Sequence, residues 1–371
     1  MKKVIGIYCG IPYDYFWDEE SVLEHGGGGS ETWTVEIARV FQKKGFHVIV
    51  FGCPNRWKFA SSGVEYVPYT MFGERIKYQK FDYFISSRQV NELTTELSCP
   101  NVYIMSHDIS LHFADTYNDL KLDRVRKIAY LSTWHKWALC DWYKMHDKNP
   151  DSFMFKTING VDREPYRNVD MNAKENRMVW SSRSERGLRF LLERVLPKIR
   201  ATVPDFCVDV CLYQQDIEPE YFQRFEGVVY HGTVGKSELA GLQKKAKVWI
   251  YPNLGYLDTD NTNFKETFCI TAVENGLAGN AIISSAIGGL VDTLDGYFLC
   301  EKFINNSDEF TNGAIIDDLD EYADYLACEA IVCLTNVARR THFAMQVRNI
   351  CARYTWEESA NTWLREWKLI D

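Results

Sequence analysis

A chain of 371 residues exceeds what one ordinary hydrophobic core encloses, so about two domains are expected. Its 46% apolar and 25% charged content is that of a globular protein, and a net charge of −9 argues against nucleic acid as a partner, which calls for clustered Lys and Arg. Eleven cysteines are an odd number and include no C-x2-C pair, which argues against a zinc site or a redox motif and for reduced thiols in a cytoplasmic protein.

Taken in chain order, the first apolar run, VIGIYC (residues 4–9), reads as a buried strand; it is too short for a signal peptide, and no later run approaches a membrane span. The loop YDYFWDEE (13–20) mixes rings with carboxylates. Tyr13, Tyr15 and Trp17 offer faces for a sugar to stack on, which makes this loop an acceptor platform. Four glycines, Gly26 to Gly29, then Ser30, precede the helical pattern ETWTVEIARVFQKKG (31–45). Glycines allow close approach and positive φ, and at a helix start Gly28 and Gly29 can present N–H groups to phosphate. The alternative is a surface loop with Ser30 as N-cap. A nicotinamide site does not fit, because no G-x-G-x-x-G follows the first strand.

Further strand patterns in this half are HVIVFGC (47–53), FDYFISS (81–87), VYIMS (102–106) and KIAYLS (127–132), separated by helical or polar segments, which predicts a parallel α/β layer. His107 follows VYIMS, and a lone histidine there can simply end the strand. The pattern TWHKWALCDWYK (133–144) predicts a helix with Trp134, Trp137, Ala138 and Trp142 on its core-facing stripe. Asn159-Gly160 favours a turn, and a polar segment follows, so the domain boundary is expected at INGVD (158–162).

The second half has strand patterns RMVWSS (177–182), CVDVCLY (207–213), GVVYHG (227–232), VWIYPN (248–253) and AIISS (281–285), enough for a second doubly wound unit. Arg183 and Arg186 follow the first of these strands. At a strand's C-terminal edge they would face ligand and neutralise a departing diphosphate; the alternative is surface pairing with Glu185 or Glu193. A D-x-D, Asp258-Thr259-Asp260, sits in a polar loop and is read as unrelated to metal, so no cofactor and no essential metal are expected. In NFKETFCITAVENGLAG (263–279), Glu266 and Glu274 stand eight positions apart. An amphipathic helix is expected to begin at or just after Glu266, with the N–H groups of Thr267, Phe268, Cys269 and Ile270 as an anion site and Glu274 on roughly the same face two turns on.

The E-x7-E pattern, its trailing A-x-G, the strand AIISS and the Gly288-Gly289-Leu290 that follows resemble the donor-binding segment of the retaining glycosyltransferases of family 4. The glycine loop, His107-Asp108, INGVD and the tail RNICARYTWEESANTWLREWK (348–368) extend the resemblance over nearly the whole chain. It implies an α/β GT-B fold: two Rossmann-like doubly wound lobes facing a central cleft, with residues 1–160 binding acceptor, 161–354 binding donor, and a closing helix at about 355–371 packing back on the first lobe. It further implies transfer of a hexose-type sugar from a nucleotide sugar to a hydroxyl of a glycan or other acceptor.

By that resemblance Glu266 contacts the donor sugar and Glu274 the ribose, with Thr267, Phe268, Cys269, Ile270, Gly28 and Gly29 around the phosphates. Segments 231–234, ending in Val234, and 251–254 flank the base, and His107 lies beside the reacting sugar. Family members usually have an arginine and then a lysine before the glycine; here the spacer is shorter and Arg186 stands in the lysine's place. Two other readings remain open: a sugar-nucleotide epimerase of related architecture, and a non-catalytic nucleotide-sugar-binding protein.

Overall fold

A computed structural model of the chain describes residues 2–10, 16–145, 147–212, 217–253, 265–296 and 318–371. The chain divides into two compact units, Met1–Gly160 with Thr355–Asp371, and Val161–Tyr354.

The first unit is built on eight strands: β1 (Val4–Tyr8), β2 (His47–Gly52), β3 (Lys58–Phe59), β4 (Glu65–Pro68), β5 (Tyr83–Ser87), β6 (Val102–Met105), β7 (Val125–Tyr130) and β8 (Met154–Lys156). They lie in the order β3-β4-β2-β1-β5-β6-β7-β8 and are parallel except for the β3–β4 pair at one edge. All five strands expected from the first half are present, and they form the centre of this sheet. Their near-continuous apolar runs reflect burial on both faces, as in β1, where Ile5 and Ile7 are fully covered. Gly6 is required there: a Cβ would lie 2.6 Å from the Phe84 ring and 2.8 Å from that of Phe81.

The helix Gly29–Lys43 packs on this sheet through Trp33, Val35, Ile37, Ala38 and Phe41. The C-terminal helix Trp356–Glu366, capped by the Thr355 hydroxyl, belongs to the same unit. Trp363 packs against Trp33 and Phe155, and Trp367 stacks on Tyr83 at 4.2 Å between ring centroids. Trp17, expected as a sugar platform, is only 2% exposed and lies over Gly52, so its ring is part of this core. The helix Thr133–Trp142 also differs from expectation. It buries His135, Leu139 and Cys140, and Trp142 is half exposed, because the hydrogen-bonded His135 side chain takes the inward position.

The second unit has β9 (Arg177–Trp180), β10 (Cys207–Cys211), β11 (Val228–Gly232), β12 (Val248–Tyr251) and β13 (Ala281–Ser284), paired in parallel as β11-β10-β9 and β12-β13. The two groups are joined by a parallel bridge of Glu175 to Ala246 and by Lys247 N–H on Arg177 O at 3.1 Å. A buried lysine fastens their N-terminal edge. Lys174 Nζ donates to Ala246 O at 2.7 Å, Ala278 O at 2.8 Å and Asn280 Oδ1 at 2.8 Å. Burial pulls its pKa down to about 7. Among the described residues no helix is long and apolar enough to cross a membrane.

Candidate functional site

Both units present their loops at the C-terminal edges of parallel strands, where open α/β sheets hold ligands. In the second unit three such loops converge on Glu266. Its carboxylate is 4% exposed as a residue and takes Arg186 Nη1 at 2.8 Å and the Tyr251 hydroxyl at 2.6 Å, both on Oε1. Tyr251 ends β12 fully buried, stacked on Trp249 and tilted against Trp180, so its hydroxyl has one place to point. Burial, with Glu266 beside it, pushes the Tyr251 phenol well up, so it stays a donor.

Glycine makes the convergence possible. Arg186 sits on a short turn after β9 that closes at Gly187, φ +102°, where a Cβ would lie 2.6 Å from Pro252 O. After β13, Gly288 has φ +64° and a Cβ there would meet Glu266 O at 2.5 Å, while Gly289 N–H donates to that same oxygen. Any larger residue at either position pushes a site loop away. Two residues on, the Phe268 carbonyl accepts from the Thr293 hydroxyl, and the Phe268 ring packs edge-on against Tyr354.

The helix begins later than expected, at Ile270, with Cys269 before it at φ +76°. Residues 266–269 are drawn into an irregular turn by the Gly288-Gly289 contact. The N–H groups at the helix mouth are thus those of Ile270 and the residues after it, not those of Thr267, Phe268 and Cys269, and Glu266 precedes the helix instead of sharing a face with Glu274. Phe268 and Cys269 are buried and Thr267 is half-buried. Glu274 lies in the helix proper. Burial pushes its carboxyl up to about 7, against the pull of Lys236 and Gln243. Arg183 is paired with Glu185 at 2.6 Å and is 43% exposed, and Val234 packs half-buried against Val179, Cys211 and Ala246.

In the first unit, Gly28 and Gly29 open the helix Gly29–Lys43, but the carboxylate of Glu31 folds back there: a Cβ on Gly28 would lie 2.3 Å from Glu31 Oε2. That helix start is therefore already faced by a negative charge. His107 follows β6, with its ring edge-on to Trp33 at 5.3 Å. Burial, Arg88 and His135 hold its pKa well below the usual histidine value, so it is neutral. Next to it, Asp108 O accepts from Ser106 Oγ at 2.7 Å and His135 Nε2 at 2.9 Å. Leu131 N–H donates to the other nitrogen of that ring, which fixes the tautomer. Arg88 Nε donates to Asp108 Oδ2 at 2.8 Å, and its Nη1 to Ser30 Oγ at 3.1 Å.

Tyr13, Tyr15, Leu254 and the Asp258–Asp260 motif lie outside the described residues. Among the described residues there is no group of three or more His, Cys, Asp or Glu side chains placed to hold a metal ion.

No protein-family model matches the chain, and no curated protein matches it by sequence. Solved structures do. The sucrose-phosphate synthase of Thermosynechococcus elongatus is similar at 14% identity over 99% of both chains, with a TM-score of 0.69. A glycosyltransferase from Rickettsia africae is similar at 15% identity over 99% of this chain and 98% of that one, TM-score 0.68. Anabaena HepE, solved in complex with UDP-glucose, is similar at 12% identity over 99% of this chain and all of that one, TM-score 0.63. These are GT-B structures, matched along the whole chain. The fold is GT-B.

Within this GT-B fold, the structure brings Arg186 and Glu266 into direct contact and leaves Arg183 on Glu185. Sequence reasoning missed Tyr251 as the second partner of Glu266, and it missed Arg88. The signal for Arg88 was its position directly after the central strand FISS, the same position relative to a strand that drew attention to His107.

Proposed function

We propose that this protein is a retaining glycosyltransferase that moves a hexose-type sugar from a nucleoside diphosphate to a hydroxyl acceptor. One observation carries the reading: a buried carboxylate, Glu266, clamped by Arg186 and Tyr251 just before a helix start at the C-terminal edge of a parallel layer. A carboxylate held in this way accepts sugar hydroxyls in one fixed direction, while the guanidinium and the helix mouth supply positive potential for a diphosphate leaving group.

The second unit then binds donor and the first binds acceptor. Arg186 offsets charge as the diphosphate departs, and Arg183 exchanges Glu185 for phosphate. Glu274 takes the ribose hydroxyls. The departing phosphate helps to deprotonate the acceptor on the same face of the sugar, which gives retention, with neutral His107 as a hydrogen-bonding contact to sugar in the first unit. HepE, named above, was solved with UDP-glucose, which supports a ligand of this class.

A thermal-shift screen of UDP, ADP and GDP with their sugars tests the donor side, since a ligand that binds the folded state stabilises it. With the donor known, product configuration is read by NMR in the presence of an acceptor panel and of chelator. Transfer with retention, unaffected by chelation, is expected. An isomerised sugar released without acceptor would make the protein an epimerase, and donor binding without turnover on any acceptor would make it a binding protein.

A further inference from the structure

We infer that the loop following β6, residues 108–113, is a binding subsite for a neutral pyranose, with Asp108 accepting its hydroxyls, Phe113 stacking on its apolar face and Arg88 positioning both. The inference depends on the glycosyltransferase reading only in calling this sugar the acceptor.

The loop is tightly built, yet it turns two chemically useful groups outward. The Asp108 side chain is 46% exposed although its backbone oxygen is fixed by two fully buried donors, Ser106 and His135. Arg88 fixes one carboxylate oxygen. Further along, Phe113 is 66% exposed and Ile109 is 37% exposed. Their backbone is anchored from inside: Leu111 N–H donates to the Tyr143 hydroxyl at 2.8 Å, which donates in turn to Ala114 O at 3.1 Å. An exposed ring on a mobile loop needs no explanation; an exposed ring on a loop tied at both ends does.

Backbone strain falls at the same place. Arg88 has φ +71° and Phe113 φ +62°, conformations that bulky residues rarely take and that persist where the surroundings impose them. The two are linked, since His112 N–H donates to Arg88 O at 2.7 Å while the Arg88 side chain holds Asp108. One residue therefore sets both the carboxylate and the segment carrying the ring. An oriented carboxylate with an aromatic face is how proteins take a pyranose, hydroxyls to the acid and C–H face to the ring. The Arg88 charge is already answered by Asp108, and the buried Glu31 is joined to Arg88 through the Ser30 hydroxyl, so an anionic ligand would meet net negative charge.

The test uses the full-length chain on an array of neutral and acidic glycans, with Asp108→Asn, Phe113→Ala, Phe113→Tyr and Arg88→Ala variants, and UDP, ADP and GDP thermal shifts recorded in parallel. Wild type is expected to retain neutral glycans. Asp108→Asn and Phe113→Ala should each weaken retention about tenfold or more, the loss of one charge-assisted or stacking contact. Phe113→Tyr should keep it. Arg88→Ala should lose it and regain part of it on addition of guanidinium, with the nucleotide thermal shifts of the second unit unchanged. No neutral glycan retained by wild type, or unchanged retention in Asp108→Asn and Phe113→Ala, overturns the subsite. Absence of any nucleotide shift in wild type, with glycan retention intact, overturns the transferase reading and leaves the subsite standing.

Discussion

Glu92, in the loop after β5, gives the sharpest test of the buried chemistry in the first unit. The residue is 4% exposed, and burial pushes its carboxyl from 4.5 up to about 7, the Ser86 hydroxyl and Lys121 opposing. Hydrogen counting supports a protonated acid. Ser86 Oγ lies against both Glu92 Oε1 and Gln89 O, the latter at 2.6 Å, and a serine has one proton to give. If Glu92 carries the proton, it donates to Ser86 and Ser86 donates to the carbonyl; if it is ionised, one of the two acceptors goes unserved. A folded-state pKa above the unfolded one adds stability that is complete below about 4.5 and lost as pH rises through 7. At about 1.4 kcal/mol per pH unit, ionised Glu92 costs the fold about 3 kcal/mol, most of it appearing between pH 5 and 8. Glu92→Gln keeps the donor and cannot ionise. Urea unfolding of both proteins from pH 5 to 9 should show wild type losing about 2.5 kcal/mol relative to the variant. Parallel pH profiles for the two proteins would refute a protonated Glu92.

If Glu274 takes the ribose as proposed, the same arithmetic applied to its carboxyl, which burial pushes up to about 7, predicts pH-dependent donor binding. Only the ionised form accepts two ribose hydroxyls, so the Kd for donor should rise about tenfold from pH 8 to pH 6, and Glu274→Gln should flatten that slope; equal slopes in calorimetry would remove the ribose assignment. Arg186→Ala leaves the buried Glu266 carboxylate without its cation and should lower kcat by about two orders of magnitude, with Tyr251→Phe about tenfold down; near-wild-type turnover in Arg186→Ala would remove the leaving-group role. Trp363→Ala empties a fully buried site packed on Trp33, Tyr103 and Phe155 and should cost about 3–5 kcal/mol in urea unfolding. A loss under 1 kcal/mol would mean that the C-terminal helix contributes little to the first unit.

The central strands were legible because a strand buried on both faces must be apolar almost throughout, and VIGIY, HVIVFG and VYIM satisfy that with no competing helical period. What escaped were β3, β4 and β8, of two to four residues each, which carry Lys58, Glu65, Pro68 and Lys156. All three lie at or next to an edge of the sheet, and edges are where charge and proline are tolerated, so the apolar signal is weakest there. Trp17 misled for a related reason. Its acidic neighbours, Asp18, Glu19 and Glu20, belong to the start of a short helix, Glu19–His25, and the ring itself fills the space that Gly52 leaves open.

At the candidate site, composition and spacing locate Glu266 and Arg186 but cannot say which residue touches which, because every contact is made between loops distant in sequence. The helix start shows this most clearly. Glu266-Thr267 is a good local signal for a first turn, yet Gly289, far along the chain, takes the Glu266 carbonyl as an acceptor and the helix opens at Ile270 instead. Arg88 escaped in the same way. On its own it is a charged residue after a strand; it matters because β5 pairs with β6, with Ser87 opposite Met105, which sets Arg88 beside Ser106 and within reach of Asp108. In a parallel sheet the neighbours at the C-terminal edge are decided by strand order, and strand order is a tertiary choice that local spacing does not encode. The residues that hold a carboxylate in place are therefore the ones a reading of motifs is least able to find, and the partners of Glu266 and Asp108 are both of that kind.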